Sequence, residues 1–404
     1  MASAEPHKEI SVETDVLIVG GGITGTAAAY YLARDGVDVA VVERDDLNMQ
    51  GSGRTAGNIH GQASPVSFRE MDEDTQKNYS AVLKVFGVGM SIWKELDRDL
   101  KTEVGRDVEV IHGGGLMIAE TDAQMKLLER KVAYERAYGL DNRLIDATEL
   151  RRLAPYISES AVGADYCPGE GHANALLTTP ALAVAAEAKG ARIFRNAEVT
   201  AIERTNRGFE TITKRGRVRS RRVVNAAGAW CDVVGAAAGI PMPMQRSPIQ
   251  MIVTEATTRF VGHLIYHAQE RLTMKQVANG NLVIGGAWPA KFGALGDEIP
   301  ANIRTSVQGS AWIASQIVPG LRYLRLLRAW TGTSNVTADG MPVLDEVGKL
   351  PGYYVATFPG YGFTGGPLFG RLLAEILQGR KPSFDIQSFG LARFESGAKA
   401  LPDF

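Results

Sequence analysis

Cysteine is nearly missing from this chain: two in 404 residues, Cys167 and Cys231, far apart and without a C-x-x-C pair. So few thiolates exclude a zinc site or a cysteine-ligated iron–sulfur cluster built from this chain alone. They also give no sign of a secreted disulfide scaffold. Long hydrophobic runs are missing as well, for no apolar stretch approaches the ~20 residues of a membrane helix. Met1 to Thr14 is polar and charged and lacks the apolar core of a signal peptide. Neither sign of charge dominates: 44 Lys and Arg face 45 Asp and Glu. No global field therefore favours nucleic acid or a membrane surface. The basic run Lys214 to Arg222 is local and reads as a solvated β-hairpin with Gly216 in its turn. These limits point to a cytoplasmic protein. With 404 residues and 45% hydrophobic content it can bury a large core, in two domains.

Glycine, by contrast, is plentiful, with 45 residues. Three of them, Gly20, Gly22 and Gly25, form G-x-G-x-x-G directly after the apolar run Val16 to Val19. A continuous apolar run suits a parallel strand buried on both faces. Gly20 permits the tight turn, Gly22 lets the backbone approach a pyrophosphate, and Gly25 lets the next helix pack closely. That helix is expected over Thr24 to Asp35, stopped by Gly36, with the amides of Ile23 and Thr24 at its positive end. A second strand, Val37 to Val42, ends at Glu43, whose carboxylate can accept both ribose hydroxyls and would repel a 2′-phosphate. A bare glycine pattern is a weak signal, but strand, turn, helix, strand and acid together specify an adenine dinucleotide site.

Downstream, helices are expected over Thr75 to Asp99, Asp122 to Tyr138, Thr148 to Leu153, Pro300 to Val318 and Gly370 to Leu377. Thr179-Pro180 reads as the N-cap and first position of another helix ending at Gly190. Strands are expected over Val108 to Ala119, and then over Ala191 to Asn196 followed by an antiparallel meander from Val199 to Arg221. Further strands are Arg222 to Ala226, Met251 to Thr254, Leu264 to His267, Leu272 to Val277, Leu282 to Gly286, Arg322 to Thr331 and Tyr353 to Thr357. Asn279-Gly280 marks a hairpin turn. The strands fall in two clusters, which favours two domains woven from alternating segments. No internal repeat is evident.

Four motifs carry a resemblance to a known family. They are the dinucleotide fingerprint with Glu43-Arg44, Gly51-Ser-Gly-Arg-Thr-Ala-Gly57, Val223-Val-Asn-Ala-Ala-Gly-Ala-Trp230, and Asp339-Gly-Met-Pro342 followed by Gly360-Tyr-Gly-Phe-Thr364. In this order they resemble the FAD-dependent amine and amino-acid oxidoreductases of the D-amino acid oxidase superfamily. The resemblance implies an α/β fold, in which a Rossmann-like FAD-binding domain is interleaved with an α+β substrate domain on a mostly antiparallel sheet. The expected division is 1–85, 150–235 and 325–404 for FAD, and 86–149 and 236–324 for substrate. Besides the fingerprint residues, it implies FAD contacts from Arg44, Ser52, Gly53, Arg54, Gly57 and Asn58. Further contacts fall to Val199, Ala227, Gly228, Trp230 and Gly332, and then to Gly360, Tyr361, Gly362, Phe363 and Thr364. The last glycine turn sets a helix N-terminus against the flavin pyrimidine ring, where amides and a helix dipole stabilise the anionic reduced flavin.

Within the superfamily the chain resembles the β subunits of heteromeric dehydrogenases acting on opines, proline, hydroxyproline or sarcosine. The stretches Gly51 to Gly61, Ser247 to Glu255 and Trp330 to Asn335 support this, with a lean toward opines. An α subunit and a small electron-transfer subunit are then expected partners. Three departures matter. Arg54 stands where covalent members attach flavin through histidine, so FAD is expected to be non-covalent and Arg54 to pair with phosphate. His172 is shifted by one from the histidine that holds an interface FMN, with Ala173 in its place; an FMN there is left open, as a non-covalent group. Ser334 occupies the place of a substrate-carboxylate arginine, so a carboxylate partner must come from elsewhere.

The implied reaction removes hydride from a carbon bearing an amine, giving an imine that water hydrolyses. It needs no strong general base if the neutral amine is selected. His60 could face the isoalloxazine or stand in a solvent-exposed loop. Tyr266 lies on a strand with His263 and His267; by alternation Tyr266 and His267 should not line one pocket, and for each of them core or surface packing is favoured over ligand contact. Lys275, Trp288 and Arg328 are candidates for the cavity wall, the two cations as carboxylate clamps. Trp230 and Trp330 are expected to pack beside the flavin. Alternatives are a stand-alone oxygen-using oxidase and a FAD-binding scaffold whose partners do the chemistry; a NAD-dependent dehydrogenase is disfavoured by the C-terminal motif.

Overall fold

The computed structural model describes residues 9–293 and 299–395. The ends of the sequence, including most of the polar stretch Met1 to Thr14, lie outside them. Two eight-stranded sheets organise the chain. In the first, the strand order is Val343–Glu346, Tyr353–Thr357, Gly216–Asn225, Ile10–Val19, Val39–Val42 and Arg192–Phe194. Its centre is parallel. Val16 to Ile18 and Val39 to Val41 are fully buried, as a strand covered on both faces requires. The fingerprint helix Ile23–Arg34 packs on this sheet with the helices Ala175–Ala188 and Gly362–Leu377.

The second sheet runs Leu326–Thr337, Met244–Thr254, Leu282–Pro289, Thr273–Gln276, Leu264–His267, Gly115–Ala119, Gly163–Cys167 and Arg143–Asp146. It is antiparallel except where Leu264–His267 pairs with Gly115–Ala119. Asn279-Gly280 makes the expected hairpin, with Gly280 at φ 90°. Gly163–Cys167 and Leu326–Thr337, assigned by sequence to FAD-binding segments, are strands of this second sheet. A two-stranded pairing of Asn58–Ile59 with Gly171–His172 ties the loop after the fingerprint to the turn that follows the strand Gly163–Cys167. Among the described residues, no helix is long and apolar enough to cross a membrane.

Several element boundaries differ from the sequence reading for local physical reasons. The helix expected to open at Thr179-Pro180 begins at Ala175, because Asn174 caps it by accepting the Leu176 amide at 3.0 Å; Pro180 lies inside. Gly216 to Asn225 is one ten-residue strand, not two, since it pairs with the meander on one edge and Ile10–Val19 on the other. The strand expected over Val108 to Ala119 is confined to Gly115–Ala119. The last long helix starts at Gly362, eight residues before the expected Gly370. Its glycines do not break it. They let it lie against the fingerprint helix, where a Cβ on Gly370 would come within 2.6 Å of Ala27 Cβ and the Ala28 amide.

Candidate active site

The glycine turn Gly20–Gly22 leaves the sheet between the strands of Val19 and Ala226, and crowding there leaves no room for side chains. A Cβ on Gly20, which sits at φ 119°, would meet the Ala226 carbonyl at 2.5 Å, and one on Gly25 would collide with the Gly20 carbonyl. Gly25 therefore packs the helix and does not itself border the cavity. Ser52 accepts the Ile23 amide at 2.9 Å, so the second motif is pinned to the first turn of the fingerprint helix. Both Glu43 oxygens are oriented by backbone donors: Gly21 N–H at 2.6 Å and Asp45 N–H at 3.0 Å. Burial pushes its carboxyl up. Arg44 lies over the Trp230 ring, 4.7 Å from its centroid, so Trp230 belongs to the Glu43 end rather than beside His60.

These groups border a cavity of about 510 Å³. Gly22, Thr24, Asn58, Val199, Ala227, Gly228 and Gly332 share its wall. So does Gly360 to Phe363, the N-terminus of the last long helix, which has neither a side-chain cap nor an acid in its first turn. Two helix N-termini thus open on one cavity, and both suit anionic groups. Arg54 also lines it, with its guanidinium on the carbonyls of Met49 and Thr331 (2.7 and 3.3 Å). Gly53 and Gly57 act in packing: a Cβ on either would strike the Asn48 or Ala173 carbonyl. Thr364 sits just behind the wall, its hydroxyl accepting from His60 N–H at 3.0 Å and donating to Asn58 O at 3.2 Å.

His60 is not a solvent-exposed loop residue. It borders the cavity, its ring 5.0 Å from that of Tyr361 and nearly perpendicular to it. Burial pushes its pKa down to about 3, so the ring is neutral. Its Nδ1 lies 2.9 Å from the Tyr266 hydroxyl, and that hydroxyl donates to Glu170 Oε1 at 3.0 Å. Tyr266 and His267 both border the cavity, contrary to the alternation argument, although their polar atoms diverge: the His267 Nδ1 accepts from the Gln269 and Glu270 amides.

Three expected site residues lie elsewhere. Lys275 is buried, and its ammonium donates to Ala56 O and Asn58 Oδ1 behind the cavity wall, so it does not clamp a substrate. Burial lowers its pKa to about 7. Trp288 donates to Arg271 O at 2.9 Å and packs on the helix Arg304–Ile317 at Gly309. Arg328 stands exposed at the start of the sheet's edge strand, away from the cavity. Sequence reasoning missed Glu170, an acid between glycines in a turn, and Arg271, a cation on the cavity wall in the loop after Leu264–His267. Neither carries a motif; only the strand pairings reveal them.

The family model described as FAD dependent oxidoreductase (DAO) matches residues 15–376. The chain belongs to this family. FAD is therefore its cofactor, and the glycine cradle, Glu43 and the two helix N-termini fit that dinucleotide. The match gives no support to a second flavin, FMN. Across 395 residues the chain is 28% identical to the B subunit of opine oxidase from Rhizobium meliloti, covering 95% of this chain and 98% of that protein. It is 25% identical to glycine oxidase of Geobacillus kaustophilus over 386 residues, 94% and 97% of the two chains. The solved structure of L-proline dehydrogenase from P. horikoshii superposes with a TM-score of 0.85 at 24% identity, covering 96% of this chain and all of that one, a likeness of fold.

Proposed function

We propose that this protein oxidises the C–N bond of an amino acid or N-alkyl amino acid, opine-like or an imino acid, as the catalytic β subunit of a heteromeric dehydrogenase. The observation that carries the reading is the continuous cavity that joins the Gly20–Glu43 cradle to His60, Tyr266, Tyr361 and Arg271. Cofactor and an amino-acid-sized ligand would share it. FAD, held non-covalently by the residues around Glu43, Ser52, Arg54 and the Gly360–Thr364 turn, supplies the hydride acceptor. The segments of the first sheet would hold it, while the second sheet covers the substrate.

This chain's side chains do the rest. Arg271 takes the substrate carboxylate, the clamp assigned by sequence to Lys275 or Arg328. Tyr361 and His60, backed by Phe86, form an aromatic wall that excludes water and fixes the reacting C–H. Loss of hydride leaves an imine, which water hydrolyses to keto acid and amine. The similarity to the opine oxidase chain supports an α subunit and a small electron-transfer subunit as partners. The similarity to glycine oxidase favours a second reading, a stand-alone oxygen-using oxidase. The two buried free thiols suit a reducing, cytoplasmic compartment.

The test is anaerobic addition of N-methylglycine, L-proline and an N-(carboxyalkyl) amino acid to the yellow holoprotein. Bleaching of the flavin absorbance by one of them, followed by slow reoxidation in air and fast reoxidation by an artificial acceptor, supports the dehydrogenase. Fast reoxidation in air selects the oxidase. No bleaching by any of the three overturns the amine-oxidising reading.

A further inference from the structure

Behind the cavity wall lies a cluster that binding and hydride transfer do not use. Glu170 is wholly buried, and its oxygens accept from Gly61 N–H at 2.6 Å, Gln62 Nε2 at 2.9 Å and the Tyr266 hydroxyl at 3.0 Å. On the adjoining helix and strand, Lys131 contacts Glu135 at 2.6 Å and Asp165 at 2.7 Å, all three also fully buried. One lysine therefore faces three buried carboxyls. A dry interior does not sustain that excess of negative charge, so protons are retained within the group.

The hydrogen bonds lead out of this cluster in one direction. The Tyr266 hydroxyl has a single proton and gives it to Glu170. The 2.9 Å contact with His60 Nδ1 then requires the hydrogen on Nδ1, leaving Nε2 as the basic nitrogen of a ring that borders the cavity. A chain of two hydrogen bonds thus joins the substrate space to a buried carboxyl.

Resting on the amine-oxidising reading, we infer that Glu170 is the proton acceptor for the substrate amine, reached through His60 and Tyr266. Amino acids arrive at neutral pH as ammonium ions, and hydride cannot leave the carbon until the nitrogen has its lone pair. In the step, the ammonium N–H bond breaks and a bond forms to His60 Nε2. The Nδ1 proton passes to the Tyr266 oxygen and the tyrosine proton to Glu170 Oε1. The products are a neutral amine, a neutral His60 switched to its Nε2–H tautomer, a Tyr266 hydroxyl now donating to Nδ1, and a protonated Glu170. No electrons move, and no co-reactant is needed. A neutral His60 suits a shuttle, since it passes the proton on rather than storing it. Burial pushes the Glu170 carboxyl up to about 7, which matches its task near neutral pH. The titratable groups around it are Lys131, Glu135, Asp165, Cys167, Tyr266 and Tyr361, with Lys275 acting on His60.

The experiment uses the holoprotein in two measurements. Infrared difference spectra between about pH 5 and pH 9 should show, besides the band of Glu135 lost near pH 8, a carboxylic-acid band lost near pH 7 in the wild type, absent in Glu170→Gln and retained in Tyr266→Phe. Stopped-flow reduction by whichever of the three amines bleaches the flavin should rise with pH through one ionisation near 7 in the wild type. Both variants should lose that step and fall by ~10²-fold. A wild-type pH profile in Glu170→Gln, or no carboxylic-acid band near pH 7 that this variant removes, overturns the relay while leaving the amine-oxidising reading intact. Failure of all three amines overturns that reading, and the amine role of Glu170 with it. If Glu170→Gln does not yield holoprotein, Tyr266→Phe and the wild-type infrared titration decide.

Discussion

Ser52 accepts the backbone N–H of Ile23 at 2.9 Å across 29 residues of sequence, so the loop after the second strand is fastened to the first turn of the fingerprint helix. Two motifs recognisable separately by their glycines form one rigid cradle. Ser52→Ala should leave that buried amide without its acceptor and free the loop. We expect FAD affinity to fall ~5–30-fold, for a lost hydrogen bond of about 1–2 kcal/mol, read as flavin fluorescence released on dilution. Unchanged affinity would show that the loop is held elsewhere.

Glu43→Ala should weaken FAD more. The carboxylate is held in place by the Gly21 and Asp45 amides and presents its remaining lone pairs to the cavity. Loss of charge-assisted bonds of about 1.5–3 kcal/mol predicts ~10–100-fold weaker binding. Equilibrium dialysis of apoprotein against FAD measures it; a smaller effect than that of Ser52→Ala would sink the ribose role.

Arg271→Ala should raise the KM for an amino-acid substrate ~10–100-fold, the loss of a charge-assisted pair, while Arg328→Ala should leave KM within about twofold, since Arg328 is exposed and remote from the cavity. Lys275→Met should act differently, leaving Ala56 O and Asn58 Oδ1 without their donor and lowering stability by about 1–3 kcal/mol. Steady-state kinetics with thermal unfolding separates the three.

Stability should fall as pH rises from about 5 to about 8. The Glu170 carboxyl lies near 7 in the fold against 4.5 in an exposed chain. Its stabilising contribution is therefore fully present below about pH 4.5 and is lost as pH climbs through 7, on the order of 3 kcal/mol. Denaturant unfolding of wild type and Glu170→Gln at both pH values tests this; an equal slope with pH in the two proteins would refute it.

Gly370→Ala pits two effects against each other. Alanine favours a helix over glycine by about 1 kcal/mol. Against this, the new Cβ would lie 2.6 Å from Ala27 Cβ and the Ala28 amide, and a backbone neighbour cannot rotate away. Overpacking of ~1–3 kcal/mol should win, lowering the unfolding temperature and loosening FAD, because the displaced helix carries Gly362 at the cavity.

What the sequence determined by itself is local and periodic. The buried run Val16–Val19, the glycines at 20, 22 and 25 and the acid at 43 specify a dinucleotide cradle because strand, turn and helix are short-range consequences of side-chain pattern and backbone sterics. The Gly360–Thr364 turn was legible for the same reason. Tertiary structure alone decided which cations border the cavity and which acid is hydrogen-bonded toward it. Lys275 was expected on the wall, but the loop carrying Ala56 and Asn58 folds across it and uses its charge. Glu170 was invisible because its partners, Gly61, Gln62 and Tyr266, are ~100 residues away on either side, brought together when Asn58–Ile59 pairs with Gly171–His172. Burial, which sets the charge state of both groups, is a property of the assembled sheets and has no signature in a single segment.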